Sequence, residues 1–106
     1  MKILALEVET ENASPKQFEP HLGAEARRAW ELHQSDILRE LYFRANRSSA
    51  VLILECANTL EAEQVLETLP LVQAGLIRFD LIPLVPYPGF GRLFEEQGWQ
   101  SKHPLQ

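Results

Sequence analysis

Apolar residues occur along the chain in short blocks whose internal spacing predicts secondary structure. Short apolar runs indicate strands at residues 3–8, 37–44, 50–56 and 76–85. Two longer stretches repeat their apolar residues every three or four positions, which is typical of helices with one buried side. The predicted order is therefore strand–helix–strand–strand–helix–strand.

Capping residues predict where the two helices begin. Ser14 followed by Gln17 has the spacing of a capping box, in which the side chain of each residue hydrogen-bonds the backbone N–H of the other. The first helix is expected to run from this start to residue 33 or 34. Asn58 followed by Glu61 repeats this pattern. Pro70 is expected to end the second helix because proline cannot donate a backbone hydrogen bond.

This order of elements is that of the split βαβ, or ferredoxin-like, α+β arrangement. It predicts a four-stranded antiparallel sheet with both helices on one face. A sheet whose second face meets water alternates apolar and polar residues, whereas residues 51–54 and much of 76–82 are apolar on both faces. We therefore expect a second copy of the chain to cover that face. The alternative is that the C-terminal segment folds back over it.

Composition and charge restrict the partners and the compartment. The length of 106 residues is that of one domain, 1–106. Residues 86–106 are expected to form a C-terminal arm or a short helix, and the helix is predicted at residues 90–97. A net charge of −5 argues against nucleic acid and against an anionic membrane surface. No apolar run reaches the roughly 20 residues that cross a bilayer. Glu7 and Glu9 come too early for a secretory signal, so a cytoplasmic location is expected.

The first helix carries a carboxylate on its apolar side. The apolar stripe consists of Phe18, Leu22, Ala29 and Leu32. Glu25 falls in the middle of this stripe, and His21 lies one turn before it. A half-buried Glu beside a His is suited to carrying a proton at neutral pH, since burial raises the pKa of a carboxyl group. The alternative is a rotated helix in which Glu25 lies at the sheet edge, paired with Arg28 or Arg39.

Polar side chains alternate along the second predicted strand. By their spacing, the residues that share one face are Leu38, Glu40, Tyr42 and Arg44. The residues of neighbouring strands that we expect on the same face are Glu7, Glu55, Arg78 and Asp80. These groups either line a small polar pocket, with Glu40 among its ligand-binding residues, or form cross-strand ion pairs on a solvated or interfacial face.

Metal binding is only weakly supported by the sequence. The chain has a single cysteine, Cys56, which excludes an intramolecular disulfide and any multi-cysteine metal site. We expect Cys56 to be an inert core thiol. His21 and Glu25 have a ligand-like spacing on the helix, but nothing fixes a third ligand, and a site needs three or four. We therefore expect neither a metal nor another cofactor.

Four stretches of the sequence resemble the muconolactone isomerase family. They are Glu25 followed by Ala29, Leu32 and His33, the strand Ile37-Leu38-Arg39-Glu40-Leu41-Tyr42, the helix-ending Leu69-Pro70-Leu71, and Val85-Pro86-Tyr87-Pro88. Two positions depart from the family pattern. Tyr87 stands where the family has a His before proline, and Glu40 stands where a His is usual.

The resemblance implies a dimeric α+β barrel, in which ferredoxin-like units pair through their sheets into a homodimer or a larger homo-oligomer. It also implies an isomerase-like or lyase-like enzyme that moves a proton on a small carboxylated, muconolactone-type metabolite. In such an enzyme Glu25 would carry the proton, aided by His21 or Tyr42. By position and chemistry alone, the candidates for binding the substrate carboxylate are Arg28, Arg39 and Arg44. The alternative is a non-catalytic ligand-binding or assembly module of the same fold.

Overall fold

A computed structural model describes residues 1–11 and 13–95, which form one antiparallel sheet backed by helices. The strands are β1 (Lys2–Glu9), β2 (Leu38–Arg44), β3 (Arg47–Glu55) and β4 (Ile77–Leu84). The helices are α1 (Pro15–Phe18), α2 (Leu22–Gln34), α3 (Thr59–Leu66), α4 (Pro70–Gln73) and α5 (Arg92–Glu95). The strands lie in the order β2-β3-β1-β4. The predicted ferredoxin-like α+β fold is therefore confirmed.

The first predicted helix is divided into pieces. The helix begins at the expected position, because the side-chain oxygen of Gln17 accepts a hydrogen bond from the Ser14 backbone N–H at 2.8 Å. A 3₁₀ turn at Glu19–His21 then separates α1 from α2. Pro20 lies in that turn, and a proline inside an α-helix removes a hydrogen bond and clashes with the preceding turn. After α2, Asp36 adopts a left-handed conformation (φ 66°) that turns the chain into β2.

The second helical region is also interrupted. The Asn58 side chain caps α3 by accepting a hydrogen bond from the Glu61 N–H at 2.8 Å, as the sequence predicts. However, α3 ends at Leu66, and Pro70 begins α4 instead of ending α3. A proline fits the first turn of a helix, where its missing N–H has no partner to lose. Gly75, with φ 73°, then turns the chain into β4.

The strand register divides the sheet into two faces. On the helix-facing side Ile3 pairs with Leu54 and Ala5 pairs with Leu52, and all four residues are buried. The main core between this face and the helices comprises Ile3, Ala5, Leu32, Leu38, Ala50, Leu52, Leu54, Cys56, Ala62, Leu66 and Leu69. Cys56 is thus a buried core thiol, as expected.

An irregularity in β2 changes which of its residues share a face. Leu38 pairs with Leu54, but Glu40 pairs with Ile53, so Arg39 is an extra residue at a β-bulge. The bulge places Leu38 on the helix-facing side with Leu41. The sequence-based expectation that Leu38 shares a face with Glu40 is wrong for this reason, because strict alternation does not hold across a bulge.

The opposite side of the sheet, which we call the open face, has an apolar centre. Its central residues, half-buried or exposed, are Leu4, Leu6, Val8, Val51, Ile53 and Ile82. Helices α2 and α3 pack on the other side, where they contribute Leu32, Ala62 and Leu66 to the core. The centre of the open face is thus apolar, and α2 and α3 do not cover it.

The C-terminal segment begins directly after β4. A 3₁₀ turn at Pro88–Gly91 precedes α5, in place of the single helix predicted at 90–97, whose last two residues lie outside the described part of the chain. The rings of Tyr87 and Phe90 meet edge to face with centroids 4.9 Å apart. Both side chains are exposed, so the described part of this segment packs mainly on itself.

Candidate active site

A cavity of about 750 Å³ lies between α2 and the helix-facing side of the sheet. Its larger apolar lining residues are Phe18, Leu22, Leu32, Leu38, Leu41, Phe43, Leu52, Leu69, Leu71 and Phe79. Leu22, Leu41 and Phe43 are exposed, so the cavity opens to solvent next to β2. Its volume lies within the range of about 300–1,000 Å³ that is typical of small-molecule sites.

Glu25 lies in the wall of this cavity on α2. Its Oε1 accepts a hydrogen bond from the backbone N–H of Leu71 at 2.9 Å, which ties α2 to the first turn of α4. Burial raises the pKa of the Glu25 carboxyl group, while this hydrogen bond and the nearby His21 act in the opposite direction. Glu25 therefore makes a structural contact through one oxygen and has a carboxyl group whose pKa is raised by burial.

The arginines named in the alternative interpretation of Glu25 bind elsewhere. Arg28 donates a hydrogen bond from Nε to the Thr68 hydroxyl at 2.9 Å and pairs with Glu31 at 3.1 Å. Arg39 donates from Nε to the backbone carbonyl of Asp36 at 2.7 Å. Neither arginine is among the described residues that line the large cavity.

His21 and Arg39 lie close to the large cavity without lining it. His21 ends the 3₁₀ turn one helical turn before Glu25, and it acts on that carboxylate through its charge. Arg39 borders a second, shallower cavity of about 370 Å³, together with Trp30 and His33. Of these predicted residues, His21 is thus the one placed to influence Glu25.

Tyr42 and Glu40 lie on the open face, on the other side of the sheet from Glu25. The Tyr42 hydroxyl donates a hydrogen bond to the Glu40 carboxylate at 2.6 Å, and Tyr42 is 56% exposed. This hydrogen bond and the charge of Glu40 raise the pKa of Tyr42. Within one chain the sheet therefore separates this pair from the cavity.

The remaining predicted polar residues lie near the sheet margins. Arg44 is half-buried at the β2–β3 hairpin, opposite Arg47. On the open face Arg78 pairs with Asp80, and Glu55 binds the N-terminal amine at 2.6 Å. These ion pairs lie within β4 and at the N-terminus, so they differ from the cross-strand pairs that the sequence offered as one of two alternatives.

Glu7 lies on the helix-facing side of the sheet, whereas the sequence pattern predicted it on the same face as Glu40 and Tyr42. It aligns with Phe79 on β4, and it lines the cavity with Glu9 and Glu25. Its side chain is only 7% exposed. Its Oε1 accepts a hydrogen bond from the Ala50 backbone N–H at 3.2 Å. Strand alternation contained the signal, because Ile3, Ala5 and Glu7 must share a face.

Burial also raises the pKa of Glu7, and the charges of Glu9 and Glu25 act in the same direction. The Ala50 hydrogen bond and the charge of Arg47 partly oppose this effect. Glu19 is a further acidic group of the lining. Among the described lining residues four are glutamates and none is Lys or Arg, so the cavity is acidic as well as apolar.

Residues 1–11 and 13–95 contain neither a membrane-spanning helix nor a cluster of metal ligands. No helix there is both long and apolar enough to pass through a membrane. No group of three His, Cys, Asp or Glu side chains converges there as a metal site requires.

The fold of the chain matches a known enzyme, although its sequence does not identify a family. No protein-family model matches the chain, and no curated protein matches it significantly. The chain is similar to the solved structure of 5-chloro-2-hydroxyhydroquinone dehydrochlorinase (TftG) from Burkholderia phenoliruptrix AC1100 in complex with 2,5-dihydroxybenzoquinone. The TM-score is 0.63 at 15% sequence identity, covering 80% of this chain and 94% of that one. The likeness shows that the chain shares the ferredoxin-like α+β fold of this neighbour, which has the dimeric α+β barrel fold.

Proposed function

We propose that the chain is a small-molecule enzyme of the isomerase or lyase type, in which Glu25 moves a proton of a ligand bound in the large cavity. The observation that carries this proposal is the placement of a half-buried carboxyl group, with a raised pKa, in the wall of an open apolar cavity. Burial of this kind tunes a carboxyl group towards a working pH near neutrality. The dehydrochlorinase activity named for the structural neighbour supports small-molecule chemistry on this fold.

The proposed step needs no group beyond the carboxylate and the ligand. Glu25 accepts a proton from one ligand atom, and the electron pair of the broken bond forms a new double bond. In an isomerisation the displaced electron pair takes the proton back at another atom of the ligand. In an elimination a leaving group departs with its bonding pair instead. His21, one turn away, favours the ionised form of Glu25 through its charge.

A more specific form of this proposal is that the ligand is a muconolactone-type carboxylate, but the lining of the described cavity does not favour a carboxylate ligand. A bound carboxylate needs a cation, but the candidates Arg28, Arg39 and Arg44 do not line the described cavity. In this form of the proposal the cation would come from a second copy of the chain or from outside the described residues.

We also propose that the chain forms a homodimer through the open face. The apolar centre of that face supports this, because Leu4, Leu6 and Ile53 would lose contact with water in the dimer. The rim of the open face carries the Arg78–Asp80 pair, as polar rims do around protein interfaces. Tyr42, predicted from the sequence to assist proton transfer, would lie at this interface.

The test of the enzyme proposal is ligand-detected hydrogen–deuterium exchange. Unsaturated lactones and hydroxylated aromatic compounds are incubated with the protein in D₂O, and loss of carbon-bound proton signals is followed by NMR. We expect catalysed exchange with at least one compound. We expect Glu25→Gln to slow it by about 10²–10⁴-fold, the usual contribution of a general acid or base.

Glu25→Gln is a mild substitution because the amide oxygen can still accept the hydrogen bond from Leu71. Glu63→Gln, on the exposed side of α3, is the matched control and should leave exchange unchanged. Exchange that survives Glu25→Gln would remove Glu25 as the proton carrier. Binding in the cavity without exchange by the native protein would favour the alternative of a non-catalytic ligand-binding module.

A further inference from the structure

Two carboxyl groups occupy opposite walls of the cavity. Glu7 projects from β1 on the sheet side, and Glu25 projects from α2 on the helix side. Each anchors one oxygen on a backbone N–H, that of Ala50 at 3.2 Å and that of Leu71 at 2.9 Å. No described residue hydrogen-bonds the second oxygen of either carboxyl group. Since a carboxylate can accept several hydrogen bonds, both groups retain unused acceptor capacity in the cavity.

Burial makes this unused capacity significant. Glu7 is more than nine-tenths buried, and a buried polar atom without a partner costs free energy. The proposed proton carrier, Glu25, does not account for Glu7, whose carboxyl group lies on the other wall. A ligand that donates hydrogen bonds would satisfy both groups at once.

The charge of the lining limits the ligand further. Glu9 and Glu19 add acidic groups to the same cavity. The charge of Arg47 lowers the pKa of Glu7, and the charge of His21 lowers the pKa of Glu25. Neither residue lines the described cavity. A negatively charged ligand would therefore meet like charges in a partly dry site, where repulsion is strongest.

We infer that Glu7 and Glu25 together form a two-carboxyl binding site for a ring-sized, mainly apolar molecule that donates hydrogen bonds and carries no negative charge. This inference rests on the proposed function in one respect, namely that the cavity binds the ligand. Phe79 aligns with Glu7, and Phe18 lies in the same lining, so aromatic surface is available for the body of the ligand.

The experiment uses three probes of one size that differ in charge. They are 4-hydroxybenzyl alcohol, 4-hydroxybenzylamine and 4-hydroxybenzoate, titrated into the full chain at pH 7 and followed by protein NMR. We expect the alcohol and the amine to bind at least about tenfold more tightly than the benzoate, because placing like charges together is costly. The alcohol and the amine also distinguish recognition by hydroxyl groups from recognition by a cation.

The variant Glu7→Gln tests the assignment of the site. Its amide can still accept the hydrogen bond from Ala50, so the fold is expected to persist, which the NMR spectrum checks directly. We expect the discrimination against the benzoate to fall several-fold in Glu7→Gln and to stay unchanged in the exposed control Glu63→Gln.

Three outcomes would overturn the inference. One is a benzoate that binds as tightly as the alcohol, the second is discrimination that Glu7→Gln leaves intact, and the third is no binding of any probe at millimolar concentration. Failure of the enzyme proposal looks different. In that case the probes would still bind with the expected preference, while no hydrogen exchange would depend on Glu25.

Discussion

Both faces of the sheet are rich in apolar residues, but helices α2 and α3 cover only one of these faces. Neighbouring residues of β3 show this directly, because Leu54 is fully buried by the helices and Ile53 is only half-buried on the open face. The position of the charged groups differs too. The helix-facing side holds Glu7 and Glu25 in its cavity, whereas the open face keeps the Arg78–Asp80 pair on an edge strand.

This difference separates charges that cost stability from charges that do not. Exposed ion pairs at a sheet margin are nearly neutral for folding, since water screens them. Carboxyl groups in a half-dry cavity are unfavourable when ionised, as the raised pKa values of Glu7 and Glu25 indicate. Groups of the second kind are expected where function, and not folding, requires them.

The largest expected effect comes from truncating the two faces separately. Leu54→Ala should lower the free energy of unfolding by about 2–5 kcal/mol at every protein concentration, because it leaves a cavity in the core. Ile53→Ala should lower it by less and only where the homodimer is populated, with a roughly tenfold weaker dimer. Chemical denaturation at several protein concentrations and sedimentation velocity measure both effects. A native protein that stays monomeric at micromolar concentration would refute the proposed dimer.

A smaller effect is expected from neutralising Glu7. Burial raises the pKa of Glu7 in the folded chain, so the folded state binds its proton more tightly than the unfolded state. Stability therefore falls as pH rises from the unfolded pKa through the folded one, and the penalty is complete above that window. Glu7→Gln should remove the penalty and raise the free energy of unfolding at pH 7 by about 0.5–2 kcal/mol.

Denaturant titrations at several pH values test this expectation. At about pH 3 and below, where the carboxyl group is protonated in both states, the gain from Glu7→Gln should largely vanish. Glu63→Gln provides the comparison, since that residue is exposed on α3. A gain at pH 7 that is equal in both variants would show that the buried position of Glu7 is not its cause.

The smallest effect is expected from Tyr42→Phe on the open face. The change removes the hydrogen bond to Glu40 but touches nothing in the cavity of the same chain. We expect Tm to change by less than about 3 °C and ligand hydrogen exchange to stay within about twofold of the native rate. A hundredfold loss of exchange would instead place Tyr42 in a catalytic site that two chains share.

The parts of the structure that could be predicted depend on contacts between residues close in sequence. Asn58 caps α3 as expected, because a cap involves residues three positions apart. The failures have two causes, a proline that breaks a helix locally and strand pairing between distant segments. Pro20 divides the first helix at a turn, and the bulge at Arg39 shifts the faces of β2. Pro70 cannot donate a backbone hydrogen bond, as the sequence shows, but it begins a helix instead of ending one.

The sequence by itself determined the order of the elements, the apolar character of both sheet faces and the position of Glu25 within an apolar stripe. Only the tertiary structure decided that an open cavity lies beside this stripe and that Glu7 occupies its opposite wall. It also decided that Tyr42 and Glu40 lie on the far side of the sheet. The physical reason is that local spacing fixes which residues of one element share a face. Which faces of two elements meet depends on strand register and on packing between distant parts of the chain.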